Sequence, residues 1–311
     1  MKHILFTKKL LLLAMVLLGI STTGCIKEDL DECYTLKLKV ENIKGDDITE
    51  SGWMESTNLY IFDENLNYLE TRSLDKNFIR SRNEIVLDGY TADRSLRIVA
   101  WGNVNALGEN QTVSEAQKIE DLKVMLKSDN GLAVNPDSLY YGSEQVLTKA
   151  GGVSKATEIV IRPKIGTVTI ETRGLQEQLA KRGLRSAGSA DCDFFLNNTM
   201  SGFDYRGEQI GDDVYYNPAG TWDEAGSEWV TPTMQTACPG EDMTVSISVN
   251  GVSLGSANVD ENGDPIYTTA GENTHLILEW DEGGYLIRPC HRPSVGCGRG
   301  GYTVALNHSS S

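Results

Sequence analysis

Tyr34, Leu36, Leu38 and Val40 alternate with Thr35, Lys37, Lys39 and Glu41. A period of two sends successive side chains to opposite faces, so this stretch predicts a strand with one buried face. Asn58-Leu59-Tyr60-Ile61-Phe62 and Leu66-Asn67-Tyr68-Leu69 flank Asp63-Glu64-Asn65. Two β-rich runs around an Asp/Asn turn predict a hairpin. Residues 84–87 read as a strand stopped by Asp88-Gly89, and residues 95–103, rich in β-branched and aromatic side chains, as another. Over residues 113–127, Ile119, Leu122 and Leu126 are spaced along one face of a helix. A short strand is expected at 137–142.

A second unit opens near Ala156. Its first two strands, 158–163 and 165–172, are broken at Arg162-Pro163-Lys164. Residues 174–183 suit one or two helical turns. Residues 184–240 mix Gly, Asn, Asp and aromatics, which predicts long loops. Residues 243–250 alternate strictly, Gly251 starts a turn, and 252–259 runs back; 274–280 is a late strand. The expected fold class is all-β: two β-sandwich domains, 34–156 and 157–311, with long loops and few short helices.

The N-terminus belongs to another pattern. Lys2, Lys8 and Lys9 precede an apolar run over 10–20, then Ser21-Thr22-Thr23-Gly24-Cys25. A basic segment, a short apolar segment and small residues make a signal peptide over 1–24. The apolar run is shorter than the roughly 20 residues a membrane span needs. Gly24-Cys25 resembles a bacterial lipobox, although Thr22 stands where Leu is usual. The resemblance implies that the Cys25 thiol is acylated. Residues 25–33 form an acidic tether, with Glu28, Asp29, Asp31 and Glu32. The cluster resembles the surface-export signal of outer-membrane lipoproteins in Bacteroidetes-type anaerobes.

Removing residues 1–24 leaves 25 basic residues against 44 acidic ones, a net charge of −19. Such a chain repels phosphates and is not expected to bind nucleic acid. Cys33, Cys192, Cys238, Cys290 and Cys297 remain besides Cys25, an odd number for an exported protein. No catalytic constellation, cofactor motif or metal-ligand spacing is present, so neither enzyme activity nor a cofactor or metal is expected. Asp260-x-Asn262-x-Asp264 starts like a calcium loop, but Pro265 and Gly271 stand where Gly and Glu are required, and a turn is the better reading. Asn197-Asn198-Thr199 is a glycosylation sequon without expected meaning here. Asp137-Ser138-Leu139 resembles an O-glycosylation site of these anaerobes and equally suits a strand start.

Leu59-Tyr60-Ile61-Phe62-Asp63 with its hairpin, Ile98-Val99-Ala100-Trp101-Gly102-Asn103, the stretch 137–142 and Ile159-Val160-Ile161-Arg162-Pro163 occur in an order similar to that of the FimB-type family of fimbrial anchor subunits. The lipobox and acidic tether agree. The resemblance implies two tandem transthyretin-like domains and a minor pilus subunit at the outer membrane, exposed on the cell surface. Its partners would be pilin and accessory fimbrial subunits, joined by strand complementation. Stalk subunits of such pili lose their N-terminus to an arginine-directed protease. Here the first arginine is Arg72, beyond the first hairpin, and Lys44 remains available to a less selective protease. An anchor that keeps its lipid and first strand is therefore expected.

The end of the chain departs from that family. Residues 288–299 are rich in Arg, Pro, Cys and Gly, which excludes a central strand. They are either an altered, frameshifted segment or a hairpin closed by a disulfide between Cys290 and Cys297. A surface glycan-binding or adhesion lipoprotein is the alternative function. It would use Trp222, Trp229, Tyr215 and Tyr216, unless these pack beneath loops.

Overall fold

A computed structural model describes residues 34–90, 93–104, 110–148, 156–184, 192–237, 239–260, 262–280, 282–284, 286–287 and 292–293. Strand β1 (Tyr34–Val40) is followed by a 3-10 turn at Thr49–Ser51, β2 (Ser56–Phe62), β3 (Tyr68–Asp75), helix α1 (Lys76–Arg80), β4 (Ile85–Leu87) and β5 (Ser95–Gly102). Next come β6 (Gln111–Val113), a 3-10 turn at Ile119–Asp121, β7 (Val124–Leu126), β8 (Ser128–Asp129), β9 (Leu132–Ala133), β10 (Tyr140–Leu147) and β11 (Thr157–Pro163). The second half holds β12 (Ile165–Arg173), helix α2 (Leu175–Lys181), β13 (Cys192–Phe203), β14 (Gln209–Tyr216), β15 (Thr221–Trp222), β16 (Trp229–Val230) and β17 (Met234–Ala237). It ends in β18 (Pro239–Val249), β19 (Val252–Ala257), β20 (Asn273–Trp280), β21 (Leu286–Ile287) and β22 (Arg292–Pro293). The chain is all-β, with two short α-helices among the described residues.

The first sheet runs β3-β2-β5-β10-β11-β1-β4. Its inner face carries Leu36, Leu59, Ile61, Leu96, Ile98, Ile159 and Ile161, all fully buried in one core. The second sheet is built on the parallel pair β12–β20. The third has the order β19-β18-β13-β14-β9-β8, and β7 adds to β13. Strands β6 to β9, from the first half of the sequence, thus join a sheet of the second half, β7 pairing with β13 and β9 with β14. Tyr60, Phe62, Val99 and Trp101, on the outer face of the first sheet, enter the same core as Val168, Phe194, Val245 and Leu276.

Three expectations need correction. Residues 113–127 form no helix: Leu122, Val124 and Leu126 are buried and Lys123 is exposed. The period is two, and the Ile119–Leu122–Leu126 spacing fits a 3-10 turn running into a strand. Residues 184–240 are not mainly loops, because β13, at twelve residues the longest strand, lies there. Phe194 and Leu196 are buried, then Thr199, Ser201 and Phe203. The parity changes at Asn197-Asn198, where the register against β14 and β18 shifts and Asn198 has φ of +63°. This bulge inserts one residue and hides the alternation. Thr157–Pro163, expected to open the second unit, is a strand of the first sheet, between β1 and β10.

Candidate functional site at the N-terminal strand

Strand β1 is the element through which any N-terminal anchor reaches the folded body. It is not an edge. Five of its residues pair in parallel with β11, from Leu36↔Thr157 to Val40↔Ile161. Three pair antiparallel with β4, from Tyr34↔Leu87 to Leu36↔Ile85. Tyr34, Leu36, Leu38 and Val40 are 7, 0, 6 and 1% exposed. At about 1.5–3 kcal/mol for each buried apolar side chain, these four contribute up to roughly 6–12 kcal/mol. That equals the net stability of a typical domain.

The far end of β1 is pinned. The Val40 amide donates to Thr49 Oγ1 at 2.9 Å, and the Ile48 amide to the Val40 carbonyl at 2.8 Å. Glu41, nearly buried, pairs with Lys39 at 2.8 Å and with Arg162 of β11. The Lys39 ammonium, assisted by Arg162, holds the Glu41 carboxyl below its ordinary value against the cost of burial. At the near end, the hydroxyls of Tyr34 and Thr157 are hydrogen-bonded to each other. Lys44 is exposed in the turn after β1.

Arg72 lies within β3, opposite the fully buried Leu59 of β2. Its guanidinium donates to Glu70 Oε1 at 2.8 Å, to Asp88 Oδ1 at 3.2 Å and to the Val86 carbonyl. The side chain is 23% exposed. A protease of that kind needs a free arginine side chain, and the Arg72 guanidinium is held by three partners.

The expected site residues Cys25, Cys290 and Cys297 lie outside the described residues, as do the signal segment and the acidic tether. Of residues 288–299, Arg292–Pro293 is described, as an edge pairing with Thr274 and His275 of β20. The four aromatics proposed for glycan binding do not converge. Trp229 is buried, edge-on to Trp222 at 5.3 Å, and belongs to the second sheet. Tyr216 is buried in the third sheet, while Tyr215 packs edge-on to Phe195 at 6.0 Å.

Asp260 makes a turn, as the sequence predicts: the Asn262 and Asp264 amides donate to its Oδ1 at 2.8 and 2.9 Å. Asp137 is fully buried and accepts from Asn110 Nδ2 at 3.0 Å and Gln111 Nε2 at 2.9 Å. Leu139 is also fully buried, so the triplet 137–139 behaves as a strand lead-in. In the sequon, Thr199 is buried and donates to the Val214 carbonyl at 3.0 Å. Sequence reasoning missed the seam around Arg72. Its only signal was two opposite charges, Glu70 and Arg72, on one face of a strand.

The family model for fimbrillin-A associated anchor proteins Mfa1 and Mfa2 matches residues 30–294. The major fimbrium anchoring subunit FimB of Porphyromonas gingivalis is 25% identical over 264 residues, covering 82% of this chain and 85% of FimB. The fimbrial anchor protein Mfa2 of Porphyromonas gingivalis superposes with a TM-score of 0.58 at 15% identity, covering 82% of this chain and 99% of that one. A protein of Bacteroides ovatus superposes at 0.64 with 14% identity, covering 89% of this chain and 100% of that one. The two structural likenesses speak for the fold. The family match, which takes in β1 at one end and β22 at the other, supports a fimbrial anchoring role, and the chain belongs to the family of fimbrillin-A associated anchor proteins.

Proposed function

We propose that this chain is the membrane-held terminal subunit of a fimbria. In this reading Cys25 is acylated, the lipid sits in the outer membrane, and β1 carries the load from lipid to fold. The observation that carries the proposal is the seat of β1 between β11 and β4, with four buried side chains. Eight residues lie between Cys25 and Tyr34, a tether of at most about 30 Å. A pull along it acts on β1 along its own axis, so the hydrogen bonds to both neighbours resist together.

The bonds that hold Arg72 favour an intact N-terminus. A cut at the exposed Lys44 would break the chain after β1 but leave the strand seated by packing. The partners are fimbrial subunits, joined by strand complementation. Two β-domains that divide between β11 and β12 belong to the same reading, as does exposure on the cell surface.

Mass-spectrometric mapping of the N-terminus of protein extracted from membranes tests the proposal. A chain that begins at acylated Cys25 and runs unbroken past Lys44 is expected. A chain that begins at Gly45, or beyond Arg72, contradicts it.

A further inference from the structure

The first sheet ends in β3 on one side and β4 on the other. Yet these two edges face each other. Arg72 reaches from β3 to the Val86 carbonyl and Asp88, and the Tyr90 hydroxyl donates to Glu70 at 2.7 Å. The residue numbers fall along one strand as they rise along the other, so the sheet curls into a barrel whose last, antiparallel seam is left open. Among the described residues no main-chain hydrogen bond crosses that seam. Side chains alone close it.

We propose that Arg72 locks this seam and thereby keeps β3 from pairing, edge to edge, with a second copy of this chain. Strand β3 is eight residues long. The Tyr68 amide is bonded to the Gln117 carbonyl at its start, and among the described residues no other strand pairs with the rest of the edge. A long uncovered edge is a template for another strand. The simplest strand to fit it is the same edge of a second copy, related by a two-fold axis, because antiparallel edges are self-complementary.

What opposes this pairing is charge on the inner face. Glu70 and Arg72 stand opposite Ile61 and Leu59, both fully buried. A strand added to β3 would displace Val86 and Asp88 from the guanidinium and leave a charge facing the core with fewer partners. Inward charges on an edge strand are a recognised guard against association. For a subunit that ends a polymer, a closed edge also prevents growth from the wrong surface. That functional corollary rests on the anchor reading, whereas the lock itself does not.

The test is the oligomeric state of the chain lacking residues 1–24, with Cys25 unacylated, by light scattering across a concentration series. Wild type is expected to be monomeric. The variant Glu70→Thr/Arg72→Thr removes both inward charges and takes an ion partner only from the exposed Asp88. It is expected to dimerise with a dissociation constant at least tenfold lower, with slowed amide exchange over 69–74. Asp88→Ala removes a partner that is 76% exposed and is expected to give an intermediate shift. Should the double variant fail to fold, Asp88→Ala decides. Folded variants as monomeric as wild type would overturn the lock. So would dimers whose 69–74 amides exchange at the monomer rate, or a wild-type dimer paired through those amides.

Discussion

Four aspartates hold similar turns, that of Asp223 one residue longer than the others. Asp63, Asp204, Asp223 and Asp260 each accept two or more downstream backbone amides, and each also takes an amide from the fourth turn position onto its own carbonyl. That fourth position is left-handed in all four: Gly207, Gly226 and Gly263 at φ of +70°, +65° and +89°, but Leu66 at +63° in the first. Left-handed backbone costs a branched side chain about 1–2 kcal/mol. Leu66→Asn is expected to stabilise the protein by about 0.5 kcal/mol, read as a small rise in Tm. Gly207→Ala should destabilise it by at least 1 kcal/mol, since a Cβ there meets Tyr141 at 2.7 Å. The donated amides hold the Asp63 and Asp223 carboxyls below the ordinary value of 3.8. A depressed carboxyl contributes stability above that value and loses it as pH falls through the folded value. Asp63→Asn and Asp223→Asn should therefore flatten the loss of stability below about pH 4, measured by urea unfolding across pH.

At the scale of elements, β1 is the testable part. Leu36→Ala is expected to cost about 2–5 kcal/mol in urea unfolding, while Lys37→Ala, on the outer face, should change stability by less than about 0.5 kcal/mol. A small effect at Leu36 would mean that β1 is not structurally committed. This strand was fully legible in the sequence because its alternation is unbroken. So were β2, β5, β12 and β20, each a β-branched or aromatic run between turn residues. Strand β13 was not, because the bulge at Asn197-Asn198 changes its parity, and β7 was not, because three apolar residues suited two periods. The candidate site was half legible. The absence of arginine before Arg72 could be read directly, but its bonds across a sheet seam depend on pairing between distant segments. A similar device recurs in the second half, where Arg182 donates to the Ser253 carbonyl of edge strand β19 and to the Gly284 carbonyl just before β21.

At the scale of the molecule, the two halves are joined by more than a linker. β7 pairs with β13 through Met125↔Gly202 and Val124↔Phe203, and β9 meets β14 at Leu132↔Tyr215. Trp101 packs between Tyr141 at 5.0 Å and Phe203 at 5.7 Å, and the Tyr141 hydroxyl donates to the Tyr205 carbonyl at 2.9 Å. A single calorimetric transition is expected for the whole chain. Trp101→Ala should cost about 3–5 kcal/mol and lower Tm by roughly 10 °C. Two well-separated wild-type transitions would show that the halves fold independently. In the proposed reading a lipid on Cys25 and the short segment before β1 hold the fimbria to the membrane. The most direct measurement is the share of fimbriae recovered in the culture medium from cells whose only copy of this protein carries Cys25→Ala. With the variant made at the wild-type level, most fimbriae are predicted to be shed; an unchanged cell-bound share would contradict the account.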